Sequence, residues 1–216
     1  MTRVDDNAPL VLIVDDDPAM RSALVRLLRS VGLDTMVYDS AQALLAAALP
    51  DTVCCLISDV RLPQIGGFEL QGKLAAIGNA MPIIFITAHG DIPMSVKAMK
   101  AGAMDFLEKP FRDQTLLDAV AAALARDRTR RAEAAARTAA QARYGGLSER
   151  EKQVMSLVAA GSMNKQIAGD LGLSEITVKF HRANVMRKMG VTTLPDLVRL
   201  CEKLPRDRRP TPGGTD

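Results

Sequence analysis

Four short apolar runs constrain the fold of this chain more than any other feature. They cover residues 10–14, 53–57, 83–86 and 104–107, and each is followed at once by polar residues. Short apolar runs that alternate with helical stretches are typical of buried parallel strands. The pattern predicts an α/β domain in which helices cover both faces of a parallel sheet.

The polar residues at the ends of these runs predict a metal site. They are Asp15 with Asp16, then Asp59, Thr87 and Lys109. Open α/β sheets place their sites at the carboxyl ends of the strands, so these side chains should meet in one crevice. Three crowded carboxylates raise one another's pKa unless a cation neutralises them, and a cluster of hard oxygen ligands suits Mg²⁺. We expect Asp16 and Asp59 to be the direct ligands.

The same residues have the chemistry of a phosphate acceptor. An aspartate carboxylate such as that of Asp59 can attack a phosphoryl group and form an acyl phosphate. The metal and the Lys109 ammonium would balance the charge that develops on the phosphoryl oxygens, and the Thr87 hydroxyl can contact one of them. Asp17, which precedes Pro18, is predicted to cap a helix instead.

Residues 8 to 125 resemble the receiver domain of two-component response regulators, and most of all the FixJ branch. The motifs that carry the resemblance are Val14-Asp15-Asp16-Asp17, Ser58-Asp59-Val60-Arg61-Leu62-Pro63, Ile86-Thr87-Ala88-His89-Gly90-Asp91 and Asp105-Phe106-Leu107-Glu108-Lys109-Pro110-Phe111. The resemblance implies a doubly wound, five-stranded parallel sheet and phosphorylation of Asp59 by a histidine kinase. It also implies that Asp16, Asp59 and the Arg61 backbone carbonyl hold Mg²⁺, while Asp15 assists through water.

The resemblance further implies a switch. Thr87 and Phe106 would move together on phosphorylation, and the Lys109-Pro110 bond would be cis. Arg61 and His89 would tune the loss of the phosphoryl group. In the phosphorylated state the surface of residues 92–101 and the adjoining strand would form a homodimer contact.

Length, charge and cysteine content favour two modest domains of a cytoplasmic protein. Residues 1–112 of the 216 carry 10 Lys and Arg against 13 Asp and Glu, whereas residues 145–216 carry 12 against 8. The two ends should therefore face different partners. With no basic export signal and no apolar run near the roughly 20 residues of a membrane span, the three cysteines are predicted to be reduced packing residues.

A segment rich in alanine and arginine, residues 113–144, is predicted to be helical because it contains neither proline nor glycine. No large apolar residue follows Leu124 until the end of the segment, so we expect residues 126–146 to continue the last receiver helix as an exposed linker. Gly145 and Gly146 should end it. A coiled-coil dimer stalk is the alternative, although alanine at most seam positions disfavours it.

Residues 147–204 show the pattern of a helix-turn-helix. Ser148 and Glu151 form a capping box, residues 164–171 and 175–189 are predicted helices, and Ser174 caps the second of them after a glycine turn. The segments 147–151, 164–168, 177–189 and 194–200 closely resemble the LuxR-type DNA-binding domain. Double-stranded promoter DNA is the implied partner.

Helical phase separates the two faces of the helix 175–189. Val178, Val185 and Met189 share one direction and are predicted to pack in the core. The residues predicted to contact DNA are Lys179, Phe180, Ala183 and Arg187 on the opposite half, with Asn164, Lys165 and Lys188. Lys179 would donate to guanine, Phe180 would contact a thymine methyl group, and Arg187 would bind phosphate. His181 is expected to be a satisfied core or capping residue.

These observations predict a phosphorylation-controlled transcription factor, most simply an activator that works with RNA polymerase. Its parts would be a receiver (1–125), a helical linker (126–146), a DNA-binding domain (147–204) and a disordered tail (205–216). Two other classes remain. One is a phosphohydrolase in which Asp15 is the nucleophile, and the other is a DNA-binding protein with a degenerate receiver that does not depend on phosphorylation.

Overall fold

A parallel sheet organises the first half of the chain. In the computed structural model, which describes residues 8–88 and 92–204, the sheet has five strands in the order β2-β1-β3-β4-β5. The strands are β1 (Leu10–Val14), β2 (Asp34–Tyr38), β3 (Cys54–Asp59), β4 (Ile83–Thr87) and β5 (Asp105–Glu108). All four pairings are parallel, which confirms the predicted doubly wound sheet.

Helices alternate with the strands and then follow one another without further strands. The first group is α1 (Pro18–Ser30), α2 (Ala41–Ala46), α3 (Gly67–Ala76), α4 (Ile92–Lys100) and α5 (Asp113–Gly145). The second group is α6 (Glu149–Ala159), α7 (Asn164–Leu171), α8 (Glu175–Met189) and α9 (Leu194–Glu202). The chain divides into two compact units between Arg131 and Ala132.

The central strands are buried on both faces, as the apolar runs predicted. Every residue of β1, β3 and β4 is buried. Because successive side chains of a strand point to opposite faces, Leu12 and Phe85 join one hydrophobic core, while Ile13 and Ile84 join the other. Helices cover both cores. The polar residues that follow the strands lie together at the carboxyl ends of the strands.

The edge strand β2 is the one strand that the apolar runs did not locate. Its residues are exposed or half-buried, and the neighbours Met36 and Val37 are both exposed. An edge strand has a neighbour on one side only, so it needs no continuous apolar run. The resemblance predicted five strands, but only tertiary pairing with β1 places this one.

The three cysteines are free and buried. Cys54 and Cys55 lie in β3 and Cys201 lies in α9. Burial raises the pKa of each thiol, most strongly for Cys55, so the reactive thiolate form is disfavoured. The prediction of reduced packing residues is confirmed.

The second unit is a helical bundle around one core. Ser148 accepts the backbone N–H of Glu151, and the Glu151 carboxylate accepts the N–H of Ser148, so the predicted capping box is present at α6. Gly172 ends α7 in the left-handed conformation, and the Ser174 hydroxyl caps α8 by accepting from Thr177. Helices α7 and α8 therefore have the predicted bounds.

Helix α5 runs to Gly145 as predicted, but the expectation that nothing anchors it beyond Leu124 is wrong. The fully buried Asp127 carboxylate accepts the Cys54 backbone N–H at 3.0 Å and the Arg131 Nε–H at 2.9 Å. Arg130 pairs with the same carboxylate at 2.6 Å. These polar contacts tie the helix to the start of β3, and a search for apolar residues alone could not find them.

The last turns of α5 belong to the core of the second unit. Ala140 is fully buried there and Tyr144 packs against the same core. Arg143 donates to the carbonyl oxygen of Met189 at 2.9 Å and so caps the carboxyl end of α8. The predicted linker is therefore held at both ends, and most residues of its middle part, 132–139, are exposed.

Replacing Asp127 should destabilise the first unit. Asp127→Ala leaves the buried Cys54 N–H without an acceptor and removes the Asp127 contacts of Arg130 and Arg131, although Arg131 keeps its pair with Asp51. We expect a loss of about 3 kcal/mol, the lower end of the range for a broken buried ion pair, because both arginines are partly exposed. Urea unfolding followed by circular dichroism measures it. Asp118→Ala, which removes an exposed carboxylate of the same helix, is the control and should change stability little. Equal behaviour of the two variants would contradict the assignment.

Candidate functional site

Lys109 joins two of the predicted carboxylates at the carboxyl edge of the sheet. Its ammonium lies 2.7 Å from Oδ2 of Asp59 and 2.9 Å from Oδ2 of Asp15. Asp59 ends β3, Asp15 directly follows β1, and Lys109 directly follows β5. Three separate strands thus deliver one cation and two anions to the same point, as the sequence predicted.

Short turns fix the remaining oxygen of each carboxylate. Asp15 Oδ1 accepts the Asp17 backbone N–H at 2.8 Å, and Asp59 Oδ1 accepts the Arg61 N–H at 2.8 Å. Such bonds to the amide two residues on are typical of aspartate at the start of a turn. Asp17 itself caps α1 by accepting from Ala19, which confirms the prediction made for it.

Burial and charge compensation act in opposite directions on the protonation states of Asp15 and Lys109. Burial raises the pKa of Asp15, and the hydrogen bond from Lys109 acts in the opposite direction. For Lys109, burial would lower the pKa, but the hydrogen bonds to Asp59 and Asp15 together raise it above its ordinary value. The ammonium therefore keeps its proton at neutral pH.

The acidic cluster has the donor set of a hard divalent cation. Carboxylate oxygens of Asp15, Asp16 and Asp59 lie within 4.8 Å of one another. Asp15 and Asp59 are buried, whereas Asp16 is exposed at the mouth of the cluster. An all-oxygen set of this kind fits Mg²⁺. The participation of the Arg61 carbonyl stays a prediction.

Thr87 and Phe106 lie on the neighbouring strands β4 and β5, and their joint movement as a switch stays a prediction. Thr87 is the buried last residue of β4, and its carbonyl oxygen accepts the Lys109 N–H at 2.7 Å. Phe106 pairs with Phe85 in the β4–β5 register and is partly buried against one core. The Lys109-Pro110 peptide bond is cis, as expected. His89, like the tail 205–216, lies outside the described residues.

Gly67, at the start of α3, is a site residue that the sequence analysis missed. A Cβ atom at this position would lie 2.5 Å from the carbonyl oxygen of Asp59. Only glycine permits so close an approach, and the Gly67 N–H donates to the Val60 carbonyl oxygen at 3.0 Å. The Gly66-Gly67 pair was the available signal. Gly67 allows α3 to begin directly beside Asp59.

Helix α8 divides into a buried and an exposed face, as helical phase predicted. Val178, Val185 and Met189 are buried in the second core. The four residues predicted to face DNA are all exposed: Lys179, Phe180, Ala183 and Arg187. Their contact with bases or phosphates stays a prediction.

The outer members of the predicted DNA set differ in environment. Lys165 is exposed, but the Asn164 side chain accepts from Arg182 at 3.2 Å. The Lys188 ammonium lies 2.6 Å from a carboxylate oxygen of Glu151 and 3.3 Å from the Gly146 carbonyl oxygen. Lys188 therefore takes part in the helical bundle, an interaction that no pattern in the sequence predicts.

His181 lies beside the core without the hydrogen bond expected for one ring nitrogen. Its Nδ1 atom is buried and has no partner among the described residues. The ring stands edge-on to Phe180 with centroids 6.0 Å apart. The His181 ring is therefore packed beside the core, while its Nδ1 atom makes no hydrogen bond to any described residue.

Comparison with known families agrees with this geometry in both units. Residues 11–121 match the response regulator receiver domain, and residues 146–201 match the bacterial regulatory proteins of the luxR family. The chain is a two-component response regulator. A receiver implies a histidine kinase partner, and a luxR-type domain implies DNA binding.

Named relatives match this response regulator along most of its length. Nodulation protein W of Bradyrhizobium diazoefficiens is 54% identical over 197 residues, which cover 90% of this chain and 86% of that protein. The transcriptional regulatory protein FixJ of Azorhizobium caulinodans is 47% identical and covers 88% of this chain and 90% of its own. The resemblance to the FixJ branch is confirmed.

Two solved structures match both units. The response regulator StyR has a TM-score of 0.82 at 47% identity, covering 91% of this chain and 99% of its own. Full-length FixJ from B. japonicum has a TM-score of 0.54 at 39% identity and covers 91% and 97%. Within the described residues, no helix of the response regulator has the length and apolar character that a membrane crossing requires.

The ion pair between Glu151 and Lys188 should make the stability of the second unit depend on pH. The Lys188 ammonium and the Ser148 N–H hold the pKa of the buried Glu151 below its ordinary value of 4.5. A depressed pKa stabilises the fold above the unfolded value, and the contribution disappears as pH falls through the folded value.

Glu151→Gln keeps the capping box but removes the charge. We expect it to lower stability by about 1 kcal/mol near pH 7, because Lys188 is partly exposed, and by progressively less as the pH falls below 4.5. Thermal unfolding across this pH range measures the difference. Glu149→Gln, which alters an exposed surface pair, is the control. A constant difference at all pH values would contradict the ion-pair assignment.

Proposed function

We propose that Asp59 accepts a phosphoryl group from a histidine kinase and that this reaction controls binding to promoter DNA. The observation that supports the proposal is the Lys109 ammonium, 2.7 Å from the Asp59 carboxylate inside a cluster of three carboxylates. The cation compensates charge where the phosphoryl group would arrive. Among the described residues, this cluster is the one group of acidic side chains close enough to share a metal ion.

The transfer is a substitution at phosphorus. A carboxylate oxygen of Asp59 forms a bond to phosphorus, and the bond from phosphorus to the imidazole nitrogen of the phosphohistidine breaks. The electron pair of that bond stays on the imidazole nitrogen, which takes up a proton from solvent and leaves as neutral imidazole, and Asp59 becomes an acyl phosphate. Lys109 would then exchange part of its contact with the carboxylate for a phosphoryl oxygen.

Mg²⁺ is the proposed cofactor. The residues that would hold it are Asp16 and Asp59, with Asp15 through water and the Arg61 carbonyl oxygen. When bound, the ion would neutralise the acidic cluster and the incoming phosphoryl oxygens. Asp16 suits the role because it is the exposed member of the cluster.

The phosphoryl group adds a charge of roughly −1.5 to −2 at Asp59, which would draw Thr87 and Lys109 inward. Phe106 would reorient because it lies in β5, the strand that Lys109 directly follows. The surface affected would be α4 and β5. Helix α4 exposes an apolar stripe there: Ile92, Val96 and Met99 are 80%, 44% and 49% exposed and lie on one helical face. We propose this stripe as the contact of a phosphorylated homodimer.

The exposed face of α8 is the proposed major-groove surface. Lys179 would donate to guanine O6 and N7, Phe180 would contact a thymine methyl group, and Arg187 would bind phosphate. The small Ala183 side chain would permit close approach. Lys165 would add a phosphate contact, whereas Asn164 and Lys188 would position the helix pair through Arg182 and Glu151. An activator bound in this way would act on RNA polymerase.

Phosphorylation by a small donor tests the acceptor. With acetyl phosphate and Mg²⁺, we expect mass spectrometry to place the phosphoryl group on Asp59, and Asp59→Asn to take up none, because an amide is not a competent nucleophile. Asp118→Asn is the matched control and should be labelled like the unchanged chain. Label on Asp15 or Asp17 in the Asp59→Asn variant would favour the phosphohydrolase class, and no label on the unchanged chain would favour a degenerate receiver.

Sedimentation tests the dimer contact. Beryllofluoride with Mg²⁺ mimics the phosphoryl group and should convert micromolar monomer to dimer. Val96→Glu should prevent this, because a carboxylate in the centre of the apolar stripe would be desolvated without a partner. Ile77→Glu alters an exposed isoleucine that ends α3 and should leave dimerisation unchanged. Equal monomer fractions with and without beryllofluoride would exclude this coupling.

A further inference from the structure

Two large apolar side chains on α8 are mostly exposed, and neither burial in the core nor helix formation accounts for them. Ile176 is 80% exposed and Phe180 is 64% exposed. Isoleucine and phenylalanine are weaker helix formers than alanine, leucine or lysine, and an exposed side chain adds nothing to the core. Their presence at these positions therefore points to contact with something outside the chain.

The two side chains lie on one face near the start of the helix. At about 100° per residue, the four-residue separation of Ile176 and Phe180 leaves them about 40° apart, on the side away from the core residue Val178. Ile176 is the second residue of α8 and Phe180 lies one turn later. In helix-turn-helix proteins, the first residues of the recognition helix contact base edges.

The surroundings of this pair favour a polyanion over an apolar protein surface. Lys165, Lys179 and Arg187 are exposed cations of α7 and α8, against the two exposed acidic residues Asp170 and Glu175. Cations around an apolar centre suit a duplex, because the phosphates attract the basic side chains while the groove floor offers apolar groups.

We propose that Ile176 and Phe180 act together as a reader of thymine 5-methyl groups, which makes Ile176 a specificity-determining residue. The 5-methyl group of thymine is the apolar feature of the major groove. The two residues are about 6 Å apart along the helix, and the base step is about 3.4 Å, so they can reach methyl groups one or two steps apart. The inference rests on the proposed contact between α8 and DNA.

Removal of single methyl groups tests the reader. The full-length chain, with Mg²⁺ and beryllofluoride, is first used to enrich duplexes from a random library. Each thymine of an enriched site is then replaced by deoxyuridine, which deletes the methyl group and leaves the hydrogen-bonding edge unchanged. We expect two neighbouring positions at which affinity falls about fourfold, which corresponds to about 0.8 kcal/mol for one buried methyl group.

Variants assign each methyl group to its side chain. Ile176→Ala should abolish the deoxyuridine effect at one position, and Phe180→Ala should abolish it at the other. Ile77→Ala removes an isoleucine of the receiver that is 66% exposed and should retain both effects. Alanine raises helix propensity, so circular dichroism should show α8 intact in both variants.

Two outcomes would overturn the inference separately from the function on which it rests. Enriched sites whose affinity is the same with thymine and deoxyuridine throughout, or an Ile176→Ala variant that keeps every effect, would exclude the reader while leaving DNA binding established. Failure of the chain to enrich any sequence would instead contradict the proposed DNA contact, and the reader with it.

Discussion

The arrangement of the first unit depends on the contact between the Lys109 ammonium and two carboxylates. It lies within 2.9 Å of both Asp15 and Asp59, and without it two buried carboxylates would face each other uncompensated. The contact requires β1, β3 and β5 to end at the same edge of the sheet. The observed strand order meets this requirement, and the bond between the Lys109 N–H and the Thr87 carbonyl oxygen fixes the last turn.

The central sheet and its site could be predicted from the sequence because both follow from local rules. Parallel strands buried on both faces need continuous apolar runs, and sites in such sheets collect at the carboxyl ends. The edge strand β2 obeys neither rule. The role of Asp127 could not be predicted for a different reason. Its contact is with Cys54, 73 positions earlier in the chain, and no pattern within α5 indicates that partner.

In the second unit, helical period and capping residues located the helices, since both signals lie within a few residues of the feature they mark. The phase of α8 placed its buried and exposed faces as well. The environment of individual polar side chains could not be predicted in this way. Lys188 belongs to an ion pair with Glu151, and His181 lacks a partner at Nδ1, because these outcomes depend on how three helices pack. Charge alone does not distinguish a lysine that faces DNA from one that stabilises the bundle.

The buried cysteines have a practical consequence for spectroscopy. Thiol reagents attack the thiolate, and burial both shields Cys54, Cys55 and Cys201 and raises the pKa of each thiol. A cysteine introduced at an exposed position would react with a maleimide long before the native ones. One label can therefore be attached to an introduced cysteine in each unit while the three natural cysteines are kept. Distances between the two units then become measurable.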